Sequence, residues 1–337
     1  MNTPTARPTL VDLARAAGVS RATAARVMAG TSTVRPDLAQ RVLKTAEELG
    51  YRTNPAARAL RRGKAGAVAL VAPGGDMEGL ADPFIGTPIR SASARLLEHG
   101  IQPVLLLEDG NNTEVLVQHL SSGHVDAAIV ILEREALLMF RHLSDMPVPV
   151  VFVGHSSVEL DAGSVYVDCD NYGGARLATR ALLEAGRRRI GMIAGPSFYL
   201  PSADRLQGFL DELEAWGVKP GPVATGDFGF ASGSAAMAQL LRRDPKLDGL
   251  FAASDLMAVG ALRVLEAAGR RAPDDISVVG FDDTVVAATA NPPLTTVHQP
   301  IWEMGLRAAD LVLEMLGGGT VTEPVQLPTT LTVRESV

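Results

Sequence analysis

The sequence contains one cysteine, Cys169, in 337 residues, so no disulfide can form within the chain. No Cys/His cluster has zinc-site spacing. Neither a structural metal nor any other cofactor is expected, and the composition fits a reducing compartment, with the cytoplasm as the default. There is no run of about 18 uncharged apolar residues. The stretch "MNTPTARPTL" lacks the apolar core of a secretory leader, so neither membrane insertion nor export is expected. Nucleotide-handling loops are absent: "RRGKAG" has neither the first glycine nor the hydroxyl of a phosphate loop, and no G-x-G-x-x-G follows a strand. "GHSSV" at 154–158 begins like a nucleophile elbow, but Val158 occupies the place of the second glycine that the sharp turn needs, so Ser156 reads as a loop residue. The six histidines (His99, His119, His124, His142, His155, His298) include no i,i+4 pair. Catalysis is not expected.

What the chain has is an uneven distribution of charge. At 47% hydrophobic and 20% charged residues it is a globular chain long enough for two or three domains, and its 31 basic and 38 acidic residues give a net −7. Residues 1–64 nevertheless hold twelve Lys/Arg against four acids, a net +8. The remainder holds 19 basic and 34 acidic residues, a net −15. A small basic head on a large acidic body points to a polyanion partner for the head alone.

The head reads as short helices. In "TLVDLARAAG", Thr9 and Asp12 form a capping-box pair, and Leu10, Leu13, Ala14 and Ala17 recur at helical spacing before Gly18. In "VSRATAARVM", Ser20 is placed to cap a second helix, with Arg21, Ala22, Ala25 and Arg26 on one arc and Thr23, Ala24 and Val27 opposite. Two such helices joined by a glycine turn make a helix-turn-helix, whose second helix offers its first residues to base edges in the major groove. Arginine suits this role because its planar fork matches guanine O6 and N7. A third helix is expected from Pro36 to Gly50, with Leu38, Val42, Ala46 and Leu49 as its apolar stripe. Pro55 then opens a helix of about two turns, Ala56–Arg62, too short to be stable alone in water.

From residue 66 onward, apolar runs alternate with helical patterns: "AVALVAP", "QPVLLLED", "AAIVIL", "VPVVFVG", "RIGMIAGP", "GLFAAS" and "ISVVGFDD". This alternation predicts parallel sheets covered by helices on both faces, in two similar subdomains, with a ligand crevice at the carboxyl ends of the strands. Asp255 is expected to cap the helix "DLMAVGALRVLEAAG". Glu212, two turns along the same helix, is an alternative partner for Arg205.

The segments "TLVDLARAAGVSRATAARVMAG" and "VRPDLAQRVLKTAEELGYRTNPAARAL" resemble the lactose-repressor (LacI) family of bacterial transcription regulators. The similarity continues through "DNYGGARLATRALLEAGRRRIGMIAGP", "ADRLQGF", "ASDLMAVGAL", "SVVGFDDT" and "PPLTTVHQP". The resemblance implies an N-terminal all-α helix-turn-helix domain (1–53), a hinge helix and linker (54–65), and an α/β, periplasmic-binding-protein-like effector and dimerisation domain (66–337). In the last, an N-subdomain spans about 66–167 and 299–327, and a C-subdomain about 168–298 and 328–337.

By position, the resemblance implicates Arg21, Ala22 and Arg26 in base contacts, with Ser20 and Thr23 near phosphates, and counts Thr9 among the DNA-binding residues. Leu60 is implied to wedge between base pairs of the minor groove, flanked by Asn54 and Ala57. It places Phe84, Arg205, Phe228, Ser254 and Asp282 around a small effector. Arg205 and Asp282 offer a donor fork and an acceptor for neighbouring hydroxyls, and the phenylalanines offer flat walls for a sugar ring. Ala25 and Ala29 stand where the family often has Ser and Asn, and Ser254 where it often has Asn. Base reading therefore leans on the two arginines, and the effector cannot be copied from a relative.

The expected function is a homodimeric regulator, a repressor that binds a roughly palindromic operator and is controlled by a small-molecule effector, with a sugar as the expected class. "TTLTVRESV" after the last strand leaves no appended oligomerisation helix, which favours a dimer over a tetramer. The alternative is a cytoplasmic sugar-binding or sugar-processing protein whose basic head serves only to dimerise. Salt separates the two. The regulator's affinity for duplex DNA, followed by fluorescence anisotropy, should fall with a log–log slope of roughly −0.9 per phosphate contacted, whereas the alternative gives no salt-dependent binding.

Overall fold

The computed structural model describes residues 8–30, 34–52, 64–73, 83–108, 112–131, 148–155 and 165–337. The chain divides into two compact units, Met1–Ala65 and Gly66–Val337. In the first unit α1 (Leu10–Ala16), α2 (Arg21–Met28) and α3 (Pro36–Glu48) close around Leu13, Ala14, Ala17, Ala24, Val27, Val42 and Ala46. The expected capping box forms: the Asp12 amide donates to Thr9 Oγ1 and the Thr9 amide to Asp12 Oδ2. Ser20 caps α2, accepting from the Thr23 amide at 3.0 Å. Gly18 takes φ +62° in the turn between these helices, a conformation that suits a residue without a Cβ.

One expectation for α3 fails. Leu49 is 38% exposed, and the buried stripe ends at Ala46. The helix stops at Leu49, the chain turns through Gly50, and the Tyr51 amide bonds back to Ala46 O at 2.8 Å. Tyr51 packs against the core instead.

Among the described residues the second unit contains two six-stranded sheets. The first runs β11-β5-β4-β3-β1-β2, from β1 (Ala67–Pro73), β2 (Gln102–Glu108), β3 (Ala127–Ile131), β4 (Val150–Val153), β5 (Val165–Cys169) and β11 (Val325–Leu327). All its neighbours are parallel. The second runs β12-β10-β9-β8-β6-β7, from β6 (Ile190–Ala194), β7 (Val223–Thr225), β8 (Gly249–Ala252), β9 (Ser277–Asp282), β10 (Thr295–His298) and β12 (Thr330–Thr332). Among the described pairs of this sheet, β10–β12 is antiparallel and the rest are parallel. The central strands β3, β6 and β8 are buried along their whole length, as parallel strands sandwiched by helices must be, and this explains their unbroken apolar runs.

The covering helices are α4 (Pro83–Glu98), α5 (Thr113–Ser121), α6 (Asn171–Glu184), α7 (Leu200–Ala215), α8 (Phe230–Arg243), α9 (Asp255–Ala267), α10 (Val285–Thr289) and α11 (Ile301–Leu316). α11 leaves the second sheet and packs on α4 and the first sheet. A Cβ at Gly305 would lie 2.6 Å from Pro88 O, so only glycine permits this helix–helix approach.

The chain passes between the sheets three times, after β5, after β10 and after β11. These passages are tied together. The Asp170 amide donates to Leu327 O at 2.8 Å, Thr329 Oγ1 to Asp170 O at 3.2 Å, and Cys169 Sγ to Gln299 Oε1 at 3.2 Å. Among the described residues no helix is long and apolar enough to cross a membrane. Leu13 is fully buried at the centre of the head. Leu13→Ala should cost about 2–5 kcal/mol, read as a lower urea midpoint for the head's helical signal.

Candidate functional site

Two surfaces gather the residues singled out above. On the head, α2 buries Ala24 and Val27 and leaves Arg21, Ala22 and Arg26 exposed, as its periodicity requires. Ser20 Oγ and Thr23 Oγ1 lie 2.9 Å apart at its N-terminus, where free backbone N–H groups and the helix dipole favour an anion such as a phosphate. Arg26 Nε reaches Ala22 O at 3.4 Å, so its stem lies along the outer face of the helix. Thr9 Oγ1 donates to Asp12 Oδ2 at 2.6 Å, and this bond holds the Asp12 carboxyl below its ordinary range. Thr9 and Ser20 are therefore first of all helix caps. Asn54, Ala57 and Leu60 lie outside the described residues, as do the helix expected over 56–62 and Ser156.

The second surface is built on Arg205, which α7 carries into the interior at 5% exposure. Its Nε donates to Asn171 Oδ1 at 2.9 Å and its Nη1 to Ala253 O at 2.5 Å. The guanidinium lies over the Phe281 ring, 3.7 Å from the centroid. Asp282 Oδ1 stands 3.8 Å from Nη1, longer than a direct charge-assisted bond, so donor and acceptor sit side by side without saturating each other. Asn171, Ala253 and Asp282 mark the carboxyl ends of β5, β8 and β9, the place where open α/β sheets take ligands. Glu212 is not the partner of Arg205. It is buried on the same helix but accepts from Arg176 Nε at 2.8 Å and Arg180 Nε at 2.7 Å, both across on α6.

Asp282 and Phe228 share a backbone feature. Their φ angles are +120° and +69°, and Asp283 follows at +60°. Left-handed non-glycine residues cost about 1–3 kcal/mol each and persist only where surroundings enforce them. For Phe228 the enforcement is Ser254 Oγ, which donates to Phe228 O at 3.0 Å. The same hydroxyl accepts from the Met257 amide at 3.2 Å, so Ser254 is the N-cap of α9. This corrects the expectation for Asp255. Buried in the first turn, Asp255 accepts from the Thr284 amide at 2.8 Å and from Thr296 Oγ1 at 2.6 Å, tying α9 to β10 and to the turn after β9. The Phe228 ring meets Tyr199 edge-on at 5.9 Å and packs over Gly195, where an added Cβ would lie 2.4 Å from Phe228 Cζ and from Ser202 Oγ. Phe84 is half-buried in the first turn of α4, on the first sheet's side of the unit.

Several residues of this surface escaped the sequence reading. Gln299 is buried, and its Nε2 donates to Asp282 Oδ1 at 2.5 Å while its Oε1 accepts from Cys169. Asn171 and Asp168 stand on the other side of Arg205, linked by a 3.3 Å bond. On the first sheet, His155 stacks on Tyr166 with centroids 4.2 Å apart. Burial lowers the His155 pKa against the opposing field of Asp204 on α7. A polar residue beside Pro300 or inside "DCDNYG" looks like ordinary loop in the sequence, and only the crossings between sheets bring these residues to Arg205. Among the described residues no cluster could hold a metal ion.

Burial pushes the Asp168 carboxyl up to about 6, although the Cys169 amide, Arg205 and Asn171 act the other way. A carboxyl raised above its unfolded value binds extra protons in the native state. Its contribution is complete below about pH 4 and is lost as pH rises through about 6. Asp168→Asn should therefore gain on the parent as pH rises from 4 to 7, by on the order of 2–3 kcal/mol, measured as the difference between their urea unfolding free energies across that range.

Comparison with known proteins gives this geometry its context. Residues 9–54 match the model of bacterial regulatory proteins of the lacI family, and residues 179–337 match that of the periplasmic binding protein-like domain. The chain is 43% identical to the HTH-type transcriptional regulator CelR of Thermobifida fusca, over 98% of both chains. It is 31% identical to the HTH-type transcriptional repressor CytR of Escherichia coli K12, over 92% of this chain and 90% of that one. Among solved structures, a CelR–cellobiose complex aligns with TM-score 0.75 at 41% identity, covering 98% of this chain and 100% of the other. The lac repressor dimer bound to operator and the anti-inducer ONPF aligns with TM-score 0.86 at 26% identity, covering 98% of each. The chain belongs to the lacI family of bacterial regulatory proteins, DNA-binding transcriptional regulators with a helix-turn-helix head and a periplasmic-binding-protein-like body.

Proposed function

We propose that this protein is a cytoplasmic repressor without catalytic activity, which grips operator DNA through α2 and residues 54–65 and releases or tightens that grip when a sugar occupies the Arg205 site. The observation that carries the reading is the buried guanidinium itself. It is held by Asn171 and Ala253 with the Asp282 carboxylate beside it, so a donor and an acceptor stand side by side as vicinal hydroxyls require. The solved CelR–cellobiose complex supports a disaccharide of that kind as the first ligand to try. Arg21 and Arg26 take the base-edge role, Ser20, Thr23 and Thr9 the phosphate side, and Ala22 a thymine-methyl contact. Asn54, Ala57 and Leu60 supply the minor-groove contacts. Phe84 and Phe228 wall the sugar, and Ser254 holds Phe228 in place. The functional division remains 1–53, 54–65 and 66–337.

A second copy completes the regulator. Leu97, Leu105, Leu107 and Val115 are exposed on edge strand β2 and on the two helices packed beside it, an apolar strip that supports pairing of two bodies.

Thermal shift with cellobiose tests the effector assignment. A sugar at 100 times its dissociation constant adds roughly 2.7 kcal/mol of stability. Arg205→Lys, which lacks the planar fork, should abolish the shift. Arg26→Ala should retain the shift while losing discrimination between operator and random duplex, by about 1–3 kcal/mol in competition titrations. Loss of both properties in Arg26→Ala would sink the two-module reading. The direction of the operator response on adding sugar assigns inducer or corepressor.

A further inference from the structure

The end of β9 and the turn after it present two consecutive aspartates in left-handed backbone, and the second of them is bonded to residues other than Arg205. Asp283 accepts from Arg334 Nη2 at 2.6 Å, from Thr332 Oγ1 at 2.9 Å, and lies 3.1 Å from His298 Nδ1. Arg334 is itself fixed: its Nη1 donates to Leu294 O at 2.8 Å and its backbone amide to Thr295 Oγ1 at 2.9 Å. All of these groups belong to β10, its approach, and the last strand β12 with the residues just beyond it. That strand joins the second sheet antiparallel to β10, with Thr330 opposite His298 and Thr332 opposite Thr296. His298 in turn pairs in register with Asp282.

We infer that Arg334 is a positioning residue for the effector site: by clamping Asp283 it holds the left-handed turn that aims the Asp282 carboxylate at Arg205 and Gln299. The inference rests on the proposed reading of Asp282 as the sugar's acceptor.

The physical case is one of over-determination. A left-handed aspartate relaxes to ordinary backbone unless its side chain is held, and relaxation at 283 would rotate the preceding residue. Asp283 is held from β12 and β10 together. Asp282 is held by Gln299 Nε2 at 2.5 Å and, more loosely, by the Asp255 amide at 3.4 Å. Thr284, the next residue, is pinned by its amide and hydroxyl to Asp255 Oδ2 at 2.8 and 3.1 Å. Asp283 is anchored by a half-buried ion pair at 2.6 Å, shorter than the 3.8 Å between Asp282 and Arg205, and Arg334 is the cationic end of it. A half-buried ion pair far along the chain from Asp282 thus acquires a part in ligand affinity that its distance in sequence conceals.

The test uses the full chain. Titration calorimetry with cellobiose compares the parent with Arg334→Met, Arg334→Lys and Asp282→Asn. Hydrogen exchange of the sugar-free proteins follows the peptide covering residues 280–286, and anisotropy follows operator binding without sugar. Arg334→Met should weaken cellobiose about tenfold and speed exchange across that peptide, while sugar-free operator affinity stays within about twofold, a split that general destabilisation would not produce. Arg334→Lys should recover part of the sugar affinity.

If Asp282→Asn loses cellobiose while Arg334→Met binds it as the parent does, the positioning role is overturned and the effector site stands. If Asp282→Asn binds cellobiose unchanged, the effector reading falls instead. Should the parent ignore cellobiose, the exchange measurement still decides the clamp: unaltered exchange over 280–286 in Arg334→Met overturns it. Thr332→Val, which removes one bond to the same carboxylate and leaves Arg334 in place, serves if Arg334→Met does not fold. It should show a smaller change in the same direction, and no change in either readout overturns the inference.

Discussion

The body of this protein is organised around one buried cation. Removing a guanidinium from water is costly unless its donors are satisfied and a counter-charge is near, and Arg205 meets both conditions with groups from three strand ends. Asn171, Ala253 and Asp282 have to converge there, and Phe281 has to lie flat beneath the charge. The chain crosses between its sheets at points that bring together the ends of β5, β10 and β11. The same crossings place Gln299 and Cys169 in contact and bring Gln299 onto Asp282. A ligand that bonds to Arg205 and Asp282 therefore touches the segments on which the two sheets are joined.

This gives effector control a physical form. A sugar shifts an equilibrium between subdomain arrangements only by its difference in affinity for them, and a tenfold change at the operator needs about 1.4 kcal/mol of coupling. One charge-assisted bond made in one arrangement and not in the other is enough. The left-handed residues Phe228 and Asp282 are both held by neighbours outside their own strand or turn, which fixes the geometry of the proposed site. The head is energetically plain by comparison: among the described residues, a small apolar core, two helices capped by side chains and an arc with two arginines.

Legibility in the sequence followed the range of the interactions. The three head helices were readable because capping and periodicity act over three or four residues, and Thr9, Asp12, Ser20 and Pro36 occupy the positions they suggested. Leu49 was misjudged because periodicity does not say where a helix stops, and here Tyr51 folds back into its place. Asp255 was misjudged as a cap because an acid at the start of a helix serves equally well one residue inside it, and Ser254 already satisfies the Met257 amide. The strands of the two sheets were visible as apolar runs because strands buried on both faces need no polar alternation.

The sequence by itself determined the two-part division, the helix-turn-helix, the parallel α/β body and, through its resemblance to a family, the Arg205 and Asp282 pair. All of these rest on local spacing or on motifs that survive as contiguous words. The tertiary structure alone decided where the other carboxylates go: Glu212 to Arg176 and Arg180, and Asp283 to Arg334. It also brought in Asn171 and Gln299. The reason is that charges pair by distance in space, and in a chain that crosses three times between two sheets, residues more than a hundred positions apart become neighbours while those seven apart on one helix need not meet.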